Sequence, residues 1–291
     1  MAADELALGH EAYEEGEADA RPRTDWWAEA RGILWLVLAV LGFHSLIAKP
    51  FFIPSESMLP TLVVGDRLVV TKYPYGFSWV TPTFHVLPHM QGRFLGRLPE
   101  RGDVVIVTPP GTNTDYIKRV IGLPGDTIGV RGGIVYLNGK AIPRRAMGDR
   151  YIPVDPNTRC DDDHYHGFLA ERGGKQYCRL PIFRETLPNG RSYDTVDLGF
   201  KPGRGDNYPE IRVPRGKVFL MGDNRDNSAD SRFPLSQNGL GGPVPWENIG
   251  GRAEFITFSL DGSASWNPLT WPQSFRPGRA GTTLHPQRDS Q

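Results

Sequence analysis

The hydrophobic positions of the chain form one long run that is followed by several short ones. Residues 32–48, GILWLVLAVLGFHSLIA, contain no Asp, Glu, Lys or Arg. Such a run is at the short end of what crosses a bilayer as a helix, and a buried core helix would show a polar stripe. The polar side chains of this run, His44 and Ser45, lie near its end. The pattern therefore predicts one transmembrane helix over residues 32–48.

Short β-prone runs follow the apolar segment, and they alternate or are apolar throughout. In GIVYLNGKAI the pair Asn138-Gly139 supplies the positive φ values that a tight hairpin turn requires. No long amphipathic helix pattern appears after the apolar run, so the sequence predicts a mostly β fold. The predicted strands cover residues 67–73, 103–108, 116–122, 127–130, 134–137, 218–221 and 253–259.

Composition changes along the chain and divides it into regions. Residues 1–31 hold nine acidic and three basic side chains, which is typical of a solvated tail. Residues 143–212 are polar and contain both cysteines, whereas the chain after residue 260 is rich in Pro, Gly, Ser and Thr. The expected regions are an acidic tail (1–31), the transmembrane helix (32–48), a core (49–142 and 213–260), a polar β-rich cap insertion (143–212) and a disordered tail (261–291).

Net charge and cysteine content limit the partners and the compartment. Lys plus Arg and Asp plus Glu each number 33, so no overall basic field favours nucleic acid. Cys160 and Cys178 lie eighteen residues apart and can pair in an oxidising compartment. Two free thiols, or a metal site that includes His164 and His166, are the alternatives that the sequence leaves open.

Ser57, in the stretch PSESMLPTL after the apolar run, is a candidate nucleophile if a base activates it. Histidine is the usual base, but most of the seven histidines lie in the tails, the apolar run or the cysteine-rich region. His85 and His89, in FHVLPHM, lie in a Pro-broken stretch that lacks a strand pattern. The sequence therefore gives poor support to a His triad.

A buried lysine is the other possible base, because burial lowers the pKa of its ammonium towards the operating pH. Lys118 in DYIKRVIGLPGD lies in a predicted strand, where Lys118 and Arg119 face opposite sides. A lone lysine in a strand more often protects a sheet edge, and the sequence leaves that alternative open. Lys118 is thus a candidate base.

The stretch GDNRDNSADSR, residues 222–232, concentrates Asp, Asn, Ser and Arg. It lacks the ligand spacing of an EF-hand calcium loop. Its alternating acidic and basic side chains favour a wall of hydrogen-bonded ion pairs, in which Ser228 can hold a neutral lysine in place.

Together these residues resemble one family, bacterial signal peptidase I, a membrane-bound peptidase of family S26 with a Ser-Lys dyad. The resemblance implies an antiparallel β-sheet catalytic domain of the kind found in self-cleaving repressors, preceded by one transmembrane helix. It implies a reaction that uses no cofactor and no metal. Four stretches match the family's motifs in order: PSESMLPTLVVGDRLVVTKYPYG (54–76), RGDVVIV (101–107), DYIKRVIGLPGD (115–126) and GDNRDNSADSR (222–232).

The resemblance also implies roles for individual residues. Ser57 is the expected nucleophile and Lys118 the expected general base, while Ser55 and the backbone N–H of Ser57 would form the oxyanion hole. Ser228 would orient the lysine. The expected supports of the site are Arg119, paired with one of the aspartates, and Asp223, Arg225, Asp230 and Arg232. The expected lining of the substrate pockets is Phe51, Ile53, Pro54, Met58, Leu62, Tyr116 and Ile117.

Position 56 departs from the family pattern, because Glu56 stands where the best-known members carry glycine between the two serines. The carboxylate adds a charge near the site but replaces neither reacting group. The departure leaves the geometry of the turn open.

The implied function is the removal of N-terminal signal peptides from exported preproteins, with cleavage after small residues in Ala-X-Ala sites. The expected partners are these signal peptides and the lipid bilayer, and not nucleic acid. As a single-pass protein of the bacterial cytoplasmic membrane, the chain would place its acidic tail in the cytoplasm and its catalytic domain on the outer side. The alternatives are a Ser-Lys peptidase with one dedicated substrate and a catalytically silent binding protein of the export pathway.

Overall fold

The first element of the structure is the helix α1, Trp26–Leu46. The computed structural model describes residues 25–84, 87–160 and 165–288. Among these residues, α1 is the one helix whose length and composition suit the crossing of a membrane. None of its side chains is buried.

The bounds of α1 differ from the predicted range 32–48 at both ends. The Asp25 carboxylate accepts hydrogen bonds from two backbone N–H groups of the first turn, at 3.0 and 3.3 Å. This cap allows the helix to begin at Trp26. Ala48 already belongs to a strand, and Pro50 cannot continue a helix. The helix is therefore shifted towards the N-terminus.

After α1 the structure consists mainly of antiparallel strands, which confirms the predicted fold class. Each predicted strand corresponds to an observed one, with small differences at the ends. The strands are β1 (Ala48–Phe52), β2 (Asp66–Thr71), β3 (Val104–Val107), β4 (Tyr116–Gly122), β5 (Thr127–Arg131), β6 (Ile134–Leu137), β7 (Lys140–Ala141), β8 (Arg144–Pro153), β9 (Leu169–Arg172), β10 (Lys175–Thr186), β11 (Arg191–Val196), β12 (Tyr208–Arg212), β13 (Lys217–Met221), β14 (Val244–Pro245), β15 (Ile249–Ser259) and β16 (Gln287–Arg288). The short helical elements are α2 (Trp271–Ser274) and 3₁₀ turns at Tyr73–Tyr75, Leu235–Gln237, Trp246–Asn248 and Pro268–Thr270.

In the part of the chain that the structure describes, the strands form three sheets. The first sheet has the order β1-β2-β15-β3-β4-β13-β14. The second has the order β16-β11-β10-β8, with β9 paired to β10, and the third has the order β12-β5-β6-β7. The turn between β6 and β7 is the predicted hairpin, with φ values of 53° at Asn138 and 75° at Gly139.

The strand β4 lies inside the first sheet, between β3 and β13. Lys118 pairs with Val105 of β3 and is buried. The alternative that Lys118 protects a sheet edge is therefore wrong. Arg119, the next residue along the strand, is also buried, so both faces of β4 are covered by protein.

The insertion at residues 143–212 contains β8 to β12. Its long strands β8 and β10 pair with each other from Tyr177 opposite Pro153 to Glu185 opposite Arg144. Most side chains of β8 are exposed or half-buried, which explains why the sequence in this region is polar. The strand β12 pairs with β5, so the insertion also joins the third sheet.

The prediction of a disordered tail over residues 261–291 is wrong for the described residues up to 288. Leu284 is buried in the core, and β16 pairs with β11. Arg276 binds the Asp155 carboxylate, with its closest contact at 2.7 Å. A single leucine and a few arginines anchor this segment. Because the segment needs so few anchoring residues, its composition is as polar as that of a disordered tail.

Candidate active site

The candidate nucleophile Ser57 lies in the tight turn that follows β1. The backbone N–H groups of Leu59 and Leu62 donate to the carbonyls of Glu56 (3.0 Å) and Met58 (2.9 Å). The side chains of Met58 and Leu62 are fully buried and anchor the turn to the hydrophobic core. Core packing therefore fixes where the serine is held.

Lys118 on β4 brings its amine to within 2.8 Å of the Ser57 hydroxyl oxygen. The same amine donates to the Ile117 carbonyl at 3.0 Å. Lys118 is 3% exposed and Ser57 is 8% exposed, so bulk water has little access to the pair. Direct contact between a hydroxyl and a shielded amine is the geometry that proton transfer from serine to lysine requires.

Burial lowers the pKa of Lys118 from its ordinary value of 10.5 to about 8, because the ammonium loses its hydration. The carboxylates of Asp230 and Asp223 raise this pKa in part, and the charge of Arg232 lowers it. A lysine with this pKa is partly neutral at mildly alkaline pH. Its amine is then free to accept a proton.

The motif at residues 222–232 builds two buried ion pairs beside the dyad. Asp223 accepts hydrogen bonds from two nitrogens of Arg119, at 2.7 and 2.6 Å. Asp230 accepts two from Arg232, both at 2.9 Å. Although burial would raise the pKa of Asp230, the charge and hydrogen bonds of Arg232 hold it below its ordinary value. Each carboxylate is thus matched by a guanidinium, which limits the net field acting on the lysine.

Arg225 extends this wall to the insertion. Its guanidinium donates to the Glu185 carboxylate at 2.7 Å and to the Gly222 carbonyl at 3.1 Å. The hydroxyl of Tyr193 also donates to Glu185, at 2.9 Å. Sequence reasoning did not identify Glu185, because it lies in a polar strand far from the motifs. The insertion therefore supplies a counter-charge of the site.

Asn224 is a further residue that the sequence did not single out. Its backbone N–H donates to the Ser57 carbonyl at 3.1 Å, and its side-chain amide donates to the Glu56 carbonyl at 3.2 Å. This one residue holds both carbonyls beside the candidate nucleophile. A side-chain amide inside a motif dense in polar residues was the signal that could have identified it.

The other two candidate serines occupy different environments. The hydroxyl oxygens of Ser55 and Ser57 are 3.4 Å apart, and Ser55 is exposed. Ser228 is buried, and its hydroxyl makes no hydrogen bond within the described residues. A Cβ at Gly222 would overlap both the Ser228 hydroxyl and the Ser57 carbonyl, so glycine permits this close approach. The orientation of Lys118 by Ser228 stays a prediction.

A cleft of about 350 Å³ opens beside the dyad. Five of the residues expected to bind substrate line it, namely Phe51, Ile53, Pro54, Tyr116 and Ile117, together with Ser55, Ser57 and Lys118. Met58 and Leu62 were also expected there, but the structure does not place them among the lining residues. Both side chains point into the core, where they pack with Ile53 and Ile117.

Cys160 and Cys178 form a disulfide, with their Cα atoms 5.4 Å apart. No group of three His, Cys, Asp or Glu side chains within the described ranges is placed to hold a metal ion. His164, which belongs to the metal alternative, lies outside the described residues. Of the two histidines considered as bases, His85 also lies outside them, and His89 packs against a tryptophan ring, with ring centroids 5.1 Å apart.

Comparison with known proteins places the chain in a family. A family model described as signal peptidase, peptidase S26, matches residues 26–258. Signal peptidase I of Rickettsia akari (strain Hartford) is 38% identical over 244 residues, which cover 81% of this chain and 80% of that protein. Signal peptidase I of Rickettsia typhi (strain ATCC VR-144 / Wilmington) is 37% identical over 238 residues, which cover 79% and 80%.

Among solved structures, a signal peptidase I from Enterococcus faecalis V583 matches 54% of this chain and 97% of that chain. Its sequence identity is 21% and its TM-score is 0.27. The family assignment depends on the family model and on the two sequence relatives. They show that the chain belongs to the signal peptidase family, peptidase S26, whose members are serine endopeptidases.

Proposed function

We propose that this chain is a membrane-bound signal peptidase I that removes N-terminal signal peptides from exported preproteins by a Ser-Lys mechanism. The observation that carries the proposal is the 2.8 Å distance between the Ser57 hydroxyl and the buried Lys118 amine. The pKa of about 8 supports Lys118 as the general base. Membership of the signal peptidase family supports the class of substrate.

In the first half of the proposed reaction, neutral Lys118 takes the hydroxyl proton of Ser57. The serine oxygen then attacks the carbonyl carbon of the scissile peptide bond and forms a tetrahedral intermediate. The Ser55 hydroxyl and the Ser57 backbone N–H stabilise its oxyanion. The Lys118 ammonium gives its proton to the departing amine, the C–N bond breaks, and the signal peptide stays bound to Ser57 as an ester.

In the second half, a water molecule enters the cleft and loses a proton to Lys118. Its oxygen attacks the ester carbonyl, and the serine oxygen leaves with the proton that the lysine held. The signal peptide departs with a free carboxylate, and the dyad returns to its starting state. Lys118 acts as base and acid in turn, which a pKa near the working pH allows.

The proposed specificity is cleavage after small residues in Ala-X-Ala sites. The cleft beside the dyad offers apolar side chains from β1 and β4, such as Phe51 and Ile117. Small apolar side chains of the substrate can be buried there next to the Ser57 oxygen. Tyr116 and Pro54 also line the cleft and limit the room available.

The proposed location is the bacterial cytoplasmic membrane, with α1 as a single span and the catalytic domain on the outer side. The length and composition of α1 support a span. The disulfide between Cys160 and Cys178 supports an oxidising compartment, because disulfides form on that side of the membrane. A substrate anchored by its own apolar segment would present its cleavage site at the same surface.

The test is cleavage of several unrelated precursors with Ala-X-Ala sites by the full-length protein in detergent, with each new N-terminus determined by mass spectrometry. Each dyad variant is expected to lower kcat by about 1,000-fold or more. Ser57→Ala removes the nucleophile and Lys118→Ala removes the base. Lys118→Arg is expected to fail as well, because a guanidinium cannot act as the base. The matched control is Lys72→Met, because Lys72 is a second buried lysine whose pKa burial lowers to about 8.

A single cut after the second Ala in each precursor, lost in the three dyad variants and kept in Lys72→Met, is the expected result. Substantial activity in any dyad variant would contradict the assignment of Ser57 and Lys118. Cleavage of one precursor alone would indicate a peptidase with a dedicated substrate. Binding of precursors with no cleavage would indicate a catalytically silent protein.

A further inference from the structure

Tyr165 lies in the insertion, far from the catalytic motifs in sequence, yet its ring is buried against the catalytic turn. The side chain is 2% exposed. It belongs to a hydrophobic cluster that contains Leu59 and Val63 of the turn and Cys178 of the disulfide. The insertion and the Ser57 turn therefore share one packed cluster, and the ring of Tyr165 is fixed by it.

The hydroxyl of Tyr165 is hydrogen-bonded to residues of the Ser57 turn and of the motif at residues 222–232. The side-chain amides of Asn224 and Asn227 donate to it at 2.9 and 3.4 Å. The hydroxyl itself is hydrogen-bonded to the Glu56 carboxylate. Burial raises the pKa of Tyr165 well above its ordinary value, so the hydroxyl keeps its proton and donates to Glu56.

These partners are the residues that hold the nucleophile. Asn224 donates to the carbonyls of Glu56 and Ser57, which lie on either side of the Ser57 Cα, at 3.2 and 3.1 Å. Asn227 donates to the Glu56 carboxylate at 3.2 Å. Tyr165 is therefore one hydrogen bond away from the groups that fix the backbone of Ser57.

We propose that Tyr165 is a positioning residue of the active site, which holds Asn224 and Glu56 and through them the Ser57 hydroxyl against Lys118. The proposal rests on the Ser-Lys peptidase function proposed above. Tyr165 does not line the cleft beside Ser57, so its hydroxyl acts on the position of Ser57 through Asn224 and Glu56, and the loss is expected mainly in kcat. The insertion in this way contributes a residue, Tyr165, to a site whose nucleophile and base come from the four motifs.

The test uses Tyr165→Phe, which keeps the ring in its cluster and removes the hydroxyl. Loss of the hydrogen bonds that the hydroxyl makes with Asn224, Asn227 and Glu56 is expected to lower kcat about tenfold, with KM unchanged within about twofold. The matched control is Tyr75→Phe, because the Tyr75 hydroxyl is also buried and donates to Asp103 at 2.7 Å, away from the turn. Tyr75→Phe is expected to keep kcat within about twofold while its Tm falls as far as that of Tyr165→Phe.

A double-mutant cycle with Asn224→Ala separates positioning from general destabilisation. Because Tyr165 is proposed to act in part through Asn224, Tyr165→Phe is expected to lower kcat by a clearly smaller factor in the Asn224→Ala background than in the wild-type protein. Independent, multiplied losses would contradict the proposal, as would an unchanged kcat in Tyr165→Phe or a loss shared with Tyr75→Phe. Failure of the wild-type protein to cleave any precursor would instead contradict the proposed function, so the two failures are distinguishable.

Discussion

At the scale of single residues, two buried lysines share a lowered pKa, but their surroundings differ. Burial lowers the pKa of both Lys118 and Lys72 to about 8. Lys118 lies beside the hydroxyl of Ser57. After burial, the largest effects on the pKa of Lys72 come from the charge of Lys49, which lowers it, and that of Asp115, which raises it. A lowered pKa therefore does not identify a general base until a proton donor is found within hydrogen-bond distance.

The pH dependence of cleavage is expected to report the pKa of Lys118. A lysine base must be neutral, and its neutral fraction grows as the pH rises through the pKa. We therefore expect kcat/KM to increase about tenfold for each pH unit below pH 8 and to level off above it. The measurement is kcat/KM for one peptide substrate between about pH 5.5 and pH 10.

Lys72→Met is the control for this profile, because it removes the other buried lysine with the same pKa. The inflection near pH 8 is expected to persist in this variant. Its disappearance would show that the profile reports Lys72. An inflection near about pH 6.5 in the wild-type protein would point to a histidine base, since that is the ordinary pKa of histidine.

The residues of the site were predictable to different degrees. Ser57 was predicted from a motif and Lys118 from a strand pattern, and the structure places the two side chains 2.8 Å apart. Met58 was expected in the cleft, but an apolar residue beside a nucleophile can face either the cleft or the core. Only the direction of the turn decides between these positions, and Met58 is fully buried. Tyr165 and Glu185 reach the site through long-range packing, which no local pattern reveals.

At the scale of elements, strand periodicity predicted which way the side chains of β4 face, but it did not predict which strands pair with β4. The alternation of side chains places Lys118 and Arg119 on opposite faces, where one meets Ser57 and the other Asp223. The position of β4 inside the sheet depends on β13, which comes about one hundred residues later in the chain. Sequence order alone could not exclude an edge strand for that reason.

The C-terminal segment, residues 275–288, is held by Arg279 to the turn that carries Ser57. Its guanidinium donates to the Asp66 carboxylate at 2.8 and 2.5 Å and to the Thr61 carbonyl at 3.1 Å. The Thr61 hydroxyl in turn donates to Asp223 at 2.6 Å. The family model ends before this segment, so Arg279 lies outside the part of the chain that matches the model, whereas its partners Asp66 and Thr61 lie within it.

Arg279→Met is expected to lower the free energy of unfolding by about 3 kcal/mol, because it leaves Asp66 buried without its partner charge. Chemical denaturation at pH 7 measures this loss. The control is Arg131→Met, which breaks an exposed pair with Glu210 and is expected to cost less than about 1 kcal/mol. Equal losses in the two variants would contradict a structural role for the C-terminal segment.

At the scale of the whole molecule, regions that are distant in sequence meet at one turn. The turn that carries Ser57 is packed against Tyr165 of the insertion, bound by Asn224 of the last motif and hydrogen-bonded by Arg279 of the C-terminal segment. The sequence predicted the mostly β fold. It did not predict that the insertion and the C-terminal segment contact the turn that carries Ser57, because their anchors are single residues in polar surroundings.

In the proposed function, residues after α1 carry out the chemistry and α1 localises the enzyme in the membrane. Removal of α1 tests whether these two roles are separate. The dyad, the ion pairs and the cleft are built from residues after α1. A variant that lacks residues 1–46 is therefore expected to cleave a short soluble peptide with kcat/KM within about threefold of the full-length value. Localisation of enzyme and substrate in one bilayer raises their effective concentration by about 100-fold or more.

The same variant is expected to lose about 100-fold in rate on a precursor embedded in the bilayer of proteoliposomes, because only the full-length enzyme shares that bilayer. The Ser57→Ala full-length protein measures the uncatalysed background in both assays. Equal loss on the soluble peptide and on the embedded precursor would mean that α1 supports the fold of the catalytic domain. No loss on either would mean that the catalytic domain reaches membrane-embedded substrates without its helix, and that α1 does not localise the reaction.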